Sequence, residues 1–356
     1  MKDNIFDLQM FASTQSGYDG NGVSNVNTTT MNTTGNDLSP EMKTFYNTAL
    51  LENAKAVLYH NQFGREQPLS ARNGKKVEWR RWTSFKKATT PLTEGVIPDG
   101  NKMDVKAIDV TLNQYGDYTP ISDVLQFAAV DPVIAEATDE HGAQAGVTLD
   151  TLTRDVMQGT TSVFYAPKED GTPVTSRAGL DATCTLTSDL VARVVTALKK
   201  NKAPTINGYY MAIIHPSVAY DLRSDPAWLD AHKYASVREI YNGEIGELHG
   251  CRFVETTEAK IYADTTTSTH PANLAVYGCL FFGKDAYGVV KPDGMSMEMI
   301  IKSKDEIGGP LNQFSTVGWK AMHAAKILYP ERIFRVECCS AFSATDYTNY
   351  IATKGN

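Results

Sequence analysis

The densest group of residues able to do chemistry lies in the run KKVEWRRWTSFKK, Lys75 to Lys87. Lys75, Lys76, Arg80, Arg81, Lys86 and Lys87 are interleaved there with Trp79, Trp82 and Phe85. Cations alternating with aromatic rings suit three tasks. They hold single-stranded nucleic acid, with phosphates on the cations and bases stacked on the rings. They form a contact with another protein chain, since Trp and Arg are over-represented at interface hot spots. They also occur as a solvated face with a tryptophan turned into the core. The protein contact is the favoured expectation, because an acidic surface elsewhere in the chain complements it.

Signatures of catalysis are missing. The sequence holds no GxxxxGK[ST] phosphate loop, Rossmann glycine fingerprint, HExxH or GxSxG. The seven histidines are scattered. His215, at the end of an apolar run before Pro216, is the best placed for acid–base work, although a structural role at a strand end is far commoner. Cys338 and Cys339 are adjacent, and in a strand their side chains point to opposite faces, which argues against a shared metal. Asp139 and Glu140 have metal-binding chemistry, but a solvated or partner-facing helix side is the usual reason for such a pair. No enzyme activity, metal or cofactor is expected.

The element that must organise the chain runs from Val130 to Gly159. Asp131-Pro132 is a helix-start signal, and Gly159 a stop. Ile134, Ala137, His141, Ala145, Leu149, Leu152 and Val156 recur at steps of three or four and draw one stripe. Glu136, Asp139, Glu140, Asp150 and Asp155 are expected on the outer face, with only Arg154 against them. At ~1.5 Å per residue the helix over 131–158 spans about 40 Å. Gly142 and Gly146 each cost about 1 kcal/mol in a helix interior, so a kinked pair is the alternative to one continuous spine.

The totals bound the rest. At 356 residues the chain exceeds one typical domain. No apolar run is long enough to span a bilayer, and a net charge of −7 argues against nucleic-acid affinity through bulk charge. The opening MKDNIFDLQMFAS lacks the features of a signal peptide, so manufacture and use in a cytoplasm are expected. Five cysteines in no ligand-type spacing are expected as free thiols.

In chain order, Phe6, Leu8, Met10 and Phe11 form a sticky end on a polar tether from Ser13 to Asp37, an arm expected to dock on something. A helix stripe follows through Met42, Tyr46, Leu50, Ala54 and Leu58. The basic run and the strand through Val105, Ile108, Val110 and Leu112 make an extended hairpin, which alone is marginal in water and needs a partner surface. After a loop from Thr160 to Thr185, an α/β module runs from Thr187 to about Lys291. Ser188 is expected to cap its helix, and Gly208 to His215 to form a buried strand, with a short helix beginning at Ser217. Cys251–Val254, Leu274–Phe282, Met295–Ile301, Val317–Leu328 and Ile333–Cys338 read as further strands.

This order resembles the HK97-like fold of tailed-bacteriophage major capsid proteins, and in detail the chain is similar to the N4-like major capsid protein family. The stretches that carry the resemblance include FDLQMFA, LSPEMKTFYNTALLENA, KATTPLTEGVIPDG, QYGDYTPISDVL, GYYMAIIHPSVAYDLRSDPAWLDAHKYA, NGEIGELHGCRFVETTEAKIY and PLNQFSTVGWKAMHAAKIL. It implies an α+β fold with an N-terminal arm and helix (1–64), an E-loop hairpin (65–112) lying across an adjacent subunit and a P domain (113–186) with its spine helix. An inserted A domain (187–291) and returning P-domain strands with a C-terminal tail (292–356) complete it. It implies a structural protein that self-assembles through pentamers and hexamers into an icosahedral capsid around double-stranded DNA, in the cytoplasm of a bacterial host. A separate scaffolding protein, a portal and a decoration protein are the implied partners; no membrane is involved. The hairpin cations, with Trp79 and Trp82, are then expected to meet the spine carboxylates of a neighbour. Two alternatives remain open: a nanocompartment shell protein, which shares the fold, and a single-strand-binding module that uses the hairpin.

Overall fold

The structure, a computed structural model, describes residues 59–353 except 71–73, 84, 93, 96, 98–99, 129–132, 229–243, 264–269, 272, 294–295 and 308–310. The arm residues Phe6, Leu8, Met10 and Phe11, the stripe from Met42 to Leu58 and the helix start at Asp131-Pro132 lie outside the described residues. The chain packs as two compact units.

Among the described residues, the first unit joins Tyr59–Gln62 with Asn113–Leu152 and Pro292–His323. Its sheet has three antiparallel strands in the order β12 (Glu298–Lys302), β13 (Phe314–His323), β4 (Asn113–Ser122). Alternation along β13 sends Val317, Trp319 and Ala321 to one face, where they pack with Ile121, Met299 and Ile301. The long helix, Val133–Gln158, lays Val133, Ile134, Ala145 and Leu149 into the same cluster. Each valine, isoleucine, leucine or methionine among them contributes roughly 1.5–3 kcal/mol when fully removed from water. Gln144 ties the layers together: its Oε1 accepts the Trp319 indole N–H at 2.9 Å, and its Nε2 donates to Asp117 at 2.8 Å. A short helix, α1 (Asp123–Ala128), follows β4.

The helix, α2, is continuous through Gly142 and Gly146, and the boundary between the units falls inside it, after Leu152. Its acidic outer face needs one correction. Glu136, Asp139, Glu140 and Asp155 are exposed, but Asp150 is fully buried and Arg154 nearly so. The buried arc is wider than one stripe, because Thr138, His141, Ala145, Leu149, Asp150 and Thr153 all face protein. Asp150 lies one residue, about 100° of helix, beyond Leu149 and falls inside that arc.

The second unit joins Phe63–Leu112, Thr153–Lys291 and Ala324–Asn356. Its main sheet runs β5 (Val163–Tyr165), β15 (Ile333–Cys338), β10 (Val276–Phe282), β6 (Tyr210–Ile214), β8 (Cys251–Glu255), β7 (Glu244–Leu248), with β9 (Ile261–Tyr262) also on β10. Residues 210–214 and 276–282 are buried throughout, the burial expected of central strands covered on both faces. The helix α3 (Ser188–Lys200) covers the sheet with Leu190, Val191, Val194, Val195 and Leu198. Its N-cap is Thr187, whose hydroxyl accepts from Leu190 N, so Ser188 is the first helical residue and not the cap. A further helix, α4 (Pro216–Ser224), begins at Pro216 and follows β6.

The range 292–356 does not hold together as one body. Ile333–Cys338 pairs antiparallel with Val276–Phe282 in the main sheet, while residues 292–323 belong to the first unit. The expected strand Val317–Leu328 is two strands, ending at His323 and resuming as β14 (Ala325–Ile327). β14 forms a second sheet with β11 (Tyr287–Pro292) and β1 (Arg65–Leu69). The hairpin pairs β2 (Lys76–Trp82) with β3 (Val105–Thr111), and the remaining described helices are the single turn α5 (Lys304–Ile307) and α6 (Ser343–Thr353).

Candidate functional site

Along β2 the side chains alternate strictly. Val77 and Trp79 are buried and Arg81 is half-buried, while Lys76, Glu78, Arg80 and Trp82 face solvent. Trp79 packs closely against β11 at Gly288, which has no side chain. A Cβ there would stand 2.9 Å from Trp79 Cζ2 and 3.2 Å from Leu328 Cδ1. Arg81 forms a two-pronged ion pair with Glu331, and its guanidinium sits 4.5 Å from the centre of the Tyr329 ring. Arg332 also stacks on the Tyr329 ring, at 3.7 Å.

The outward cations are paired locally. Lys76 meets Asp109 across the hairpin, which raises the lysine pKa and lowers the carboxylate's by hydrogen bonding and charge attraction. Arg80 Nε donates to Glu78 at 3.0 Å. Lys75, Lys86 and Lys87 are exposed and carry no ion pair among the described residues. Beyond Arg81 the hairpin also exposes large apolar side chains: Trp82, Phe85, Leu92, Ile97 and Met103, Ile97 at 93%.

The expected site residues therefore divide. Trp79 and Arg81 serve their own unit, and Asp150 is enclosed against His60, so none of the three presents a free side chain to a partner. Glu136, Asp139 and Glu140 are open to solvent. Asp155 is half-exposed and pairs with Lys260 at 3.5 Å and with Arg154 at 3.2 Å. Sequence reasoning missed Glu331, Tyr329 and Arg332, which sit some 250 positions from the hairpin. No local signal marks them, since only the pairing of the β1–β11–β14 sheet brings that loop beneath β2.

On the first unit, the sheet face opposite the helix forms an open groove of about 630 Å³, lined by Tyr118, Ile300, Lys302, Phe314, Thr316 and Lys320. Its floor is low at Gly318, where a Cβ would lie 2.6 Å from Tyr118 Cβ.

His215 caps α4. Its Nδ1 accepts the Ser217 N–H at 3.2 Å, its ring lies 4.9 Å from Tyr277, and burial pushes its pKa down to about 4. Ser217 and Tyr277 both donate to Asp346 of α6, so these hydroxyls fasten the last helix and none is aligned on the imidazole as a nucleophile. All five cysteines are buried free thiols. Among the described residues no three His, Cys, Asp or Glu side chains converge as metal ligands, and no helix is long and apolar enough to cross a membrane.

Among solved structures, the capsid of Ralstonia phage GP4 matches with a TM-score of 0.61 at 14% identity, covering 79% of this chain and 88% of that one. The capsid protein of cyanophage Pam1 matches with a TM-score of 0.63 at 15% identity, covering 81% and 92%. The capsid of cyanophage P-SCSP1u gives 0.57 at 15%, covering 77% and 86%. At these identities the likeness is one of fold, the mixed helix-and-sheet fold of phage capsids. No curated protein sequence matches this one. Residues 105–336, well over half of the chain, match the sequence profile of a family described as phage capsid protein. With that match, the chain belongs to the phage capsid protein family.

Proposed function

We propose that this chain is the major capsid protein of a tailed double-stranded DNA bacteriophage, building the icosahedral head through pentamers and hexamers of itself. One observation carries the assembly reading: a hairpin held firmly at its root presents five large apolar side chains to solvent. Exposed apolar surface of that kind marks a contact with another molecule. A projecting element on every copy makes a head-to-tail contact, which closes into rings when the rotation permits.

In this reading the hairpin is the E-loop. The sheet-and-helix unit is the P domain, and 187–291 with Ile333–Cys338 forms the A domain. Arg80, Lys75, Lys86 and Lys87 meet Glu136, Asp139 and Glu140 of a neighbour, and the arm at Phe6, Leu8, Met10 and Phe11 embraces another. The N4-like group is the narrower assignment, supported by the sequence stretches above. A scaffold, a portal and a decoration protein act as partners in the host cytoplasm and in the virion. An acidic wall leaves the entering DNA unbound, since the duplex carries one charge per ~1.7 Å. Single-strand binding is disfavoured, because Lys76 and Arg81 already face carboxylates.

The test is negative-stain microscopy with light scattering on the purified protein. Closed shells, sheets or tubes of five- and six-membered rings support the proposal. Monomers or dimers that persist with scaffold supplied overturn it.

A further inference from the structure

We infer that Arg81 and Glu331 form the fulcrum of the hairpin. On this assignment Arg81 is a positioning residue, acting through its own chain and touching no neighbour; its role in assembly rests on the function proposed above. Along β2, the inward residues Val77, Trp79 and Arg81 succeed one another at the two-residue period of a strand, and Arg81 is the last of them. The next pair, Trp82 and Val105, is exposed on both strands. Arg81 is therefore the final tether before the hairpin leaves its unit.

Its geometry suits a fixed angle better than a simple attachment. A planar guanidinium that binds both oxygens of Glu331 and also lies on the Tyr329 ring has its direction as well as its distance set. Arg332 on the same ring holds the tyrosine in turn. Small errors at such a root are amplified outward. The paired strands end at Trp82 and Val105, and the 22 residues between them can extend at most about 36 Å at ~3.3 Å per residue, so a rotation of about 10° at the root carries their end up to roughly 6 Å. A displacement of that size changes the curvature at which one copy meets the next.

The first test reads the angle on the unassembled chain. Spin labels are placed at Lys86→Cys on the hairpin and Lys199→Cys on α3, both exposed and both in the second unit; the native thiols are all buried and stay unlabelled. In the parent chain the inter-label distance distribution is narrow; Glu331→Gln broadens or shifts it by several ångströms while leaving the unfolding midpoint near that of the parent. An unchanged distribution in Glu331→Gln overturns the inference whether or not the protein assembles.

The second test uses unlabelled protein. Arg81→Ala and Glu331→Gln should give the same altered products, such as open sheets or shells of the wrong size. If Arg81→Ala disturbs assembly and Glu331→Gln does not, Arg81 touches a neighbour and the fulcrum is wrong. Failure of the parent chain to assemble counts against the proposed function alone.

Discussion

Asp150 and His60 hold each other inside the first unit. Asp150 Oδ1 accepts the His60 main-chain N–H at 2.7 Å, and Oδ2 lies 2.6 Å from the imidazole Nδ1. Both side chains are excluded from water. Removing one partner leaves the buried hydrogen-bonding groups of the other unsatisfied, at about 1–3 kcal/mol for each group. Asp150→Ala should lower stability by that order in urea unfolding, whereas Glu136→Gln or Glu140→Gln should stay within about 0.5 kcal/mol. Equal effects at the three positions would show that the buried pair does not anchor this helix.

At the hairpin root, Gly288→Ala places a methyl 2.9 Å from the Trp79 ring. The tryptophan must then shift, at a cost of about 1–3 kcal/mol. Protease cleavage within residues 85–104 should accelerate in step, because the root loosens. If the variant matches the parent in both stability and cleavage, Trp79 is not held as described.

Two buried histidines set an acid limit. Burial lowers the pKa of His215 and of His323 to about 4, despite the carboxylates of Asp346 and Asp150 pulling in the opposite direction. The folded state disfavours the charged ring, so the unfolded chain binds more protons between pH 4 and 6.5. Their contribution is complete above pH 6.5 and is lost as the pH falls toward 4, by about 3 kcal/mol for each group. Carboxylates add their own acid dependence, so the measurement is a difference. His215→Asn keeps a side-chain acceptor at the cap and should flatten the stability profile between pH 6.5 and 4. A slope identical to the parent's would contradict the assigned burial.

The proposed hairpin contact makes its own demand. Arg80→Glu with Lys86→Glu and Lys87→Glu should raise the protein concentration needed for assembly several-fold and weaken its dependence on salt. Monomer stability should hardly move, since exposed pairs contribute only ~0.2–1 kcal/mol. Reversing Glu136, Asp139 and Glu140 to Lys in the same chain should restore assembly. If the reversed chain assembles no better than the first variant, the cations meet some other surface.

Much of this fold is legible in the sequence because its signals are periodic and local. Ile134 to Leu149 marks a helix at its own spacing, and YMAII before a proline marks a buried strand. The alternation of Val77 and Trp79 with Lys76 and Arg80 is equally readable. Other features depend on long-range pairing. β4 escapes notice because Gly116, Asp117 and Pro120 are poor strand formers, and ten registered pairs with β13 override them. Asp150 is charged and lies on a helix with an acidic face, so only the approach of His60 reveals its burial. Arg81 reads as one cation among six until Glu331 and Tyr329 are brought beneath it. α6 carries a weak stripe and depends on Ser217 and Tyr277 reaching Asp346.

The five buried thiols have a practical consequence. Burial pushes the thiol pKa up at Cys184, Cys251 and Cys339, and the hydrogen bond with Cys279 together with burial does so at Cys338; the thiolate is the form that reacts. A maleimide or a gold cluster offered to the folded native chain should find nothing to bind. One engineered cysteine would then be the sole reactive handle on each copy, so dyes, haptens or enzymes could be attached at one chosen point per subunit.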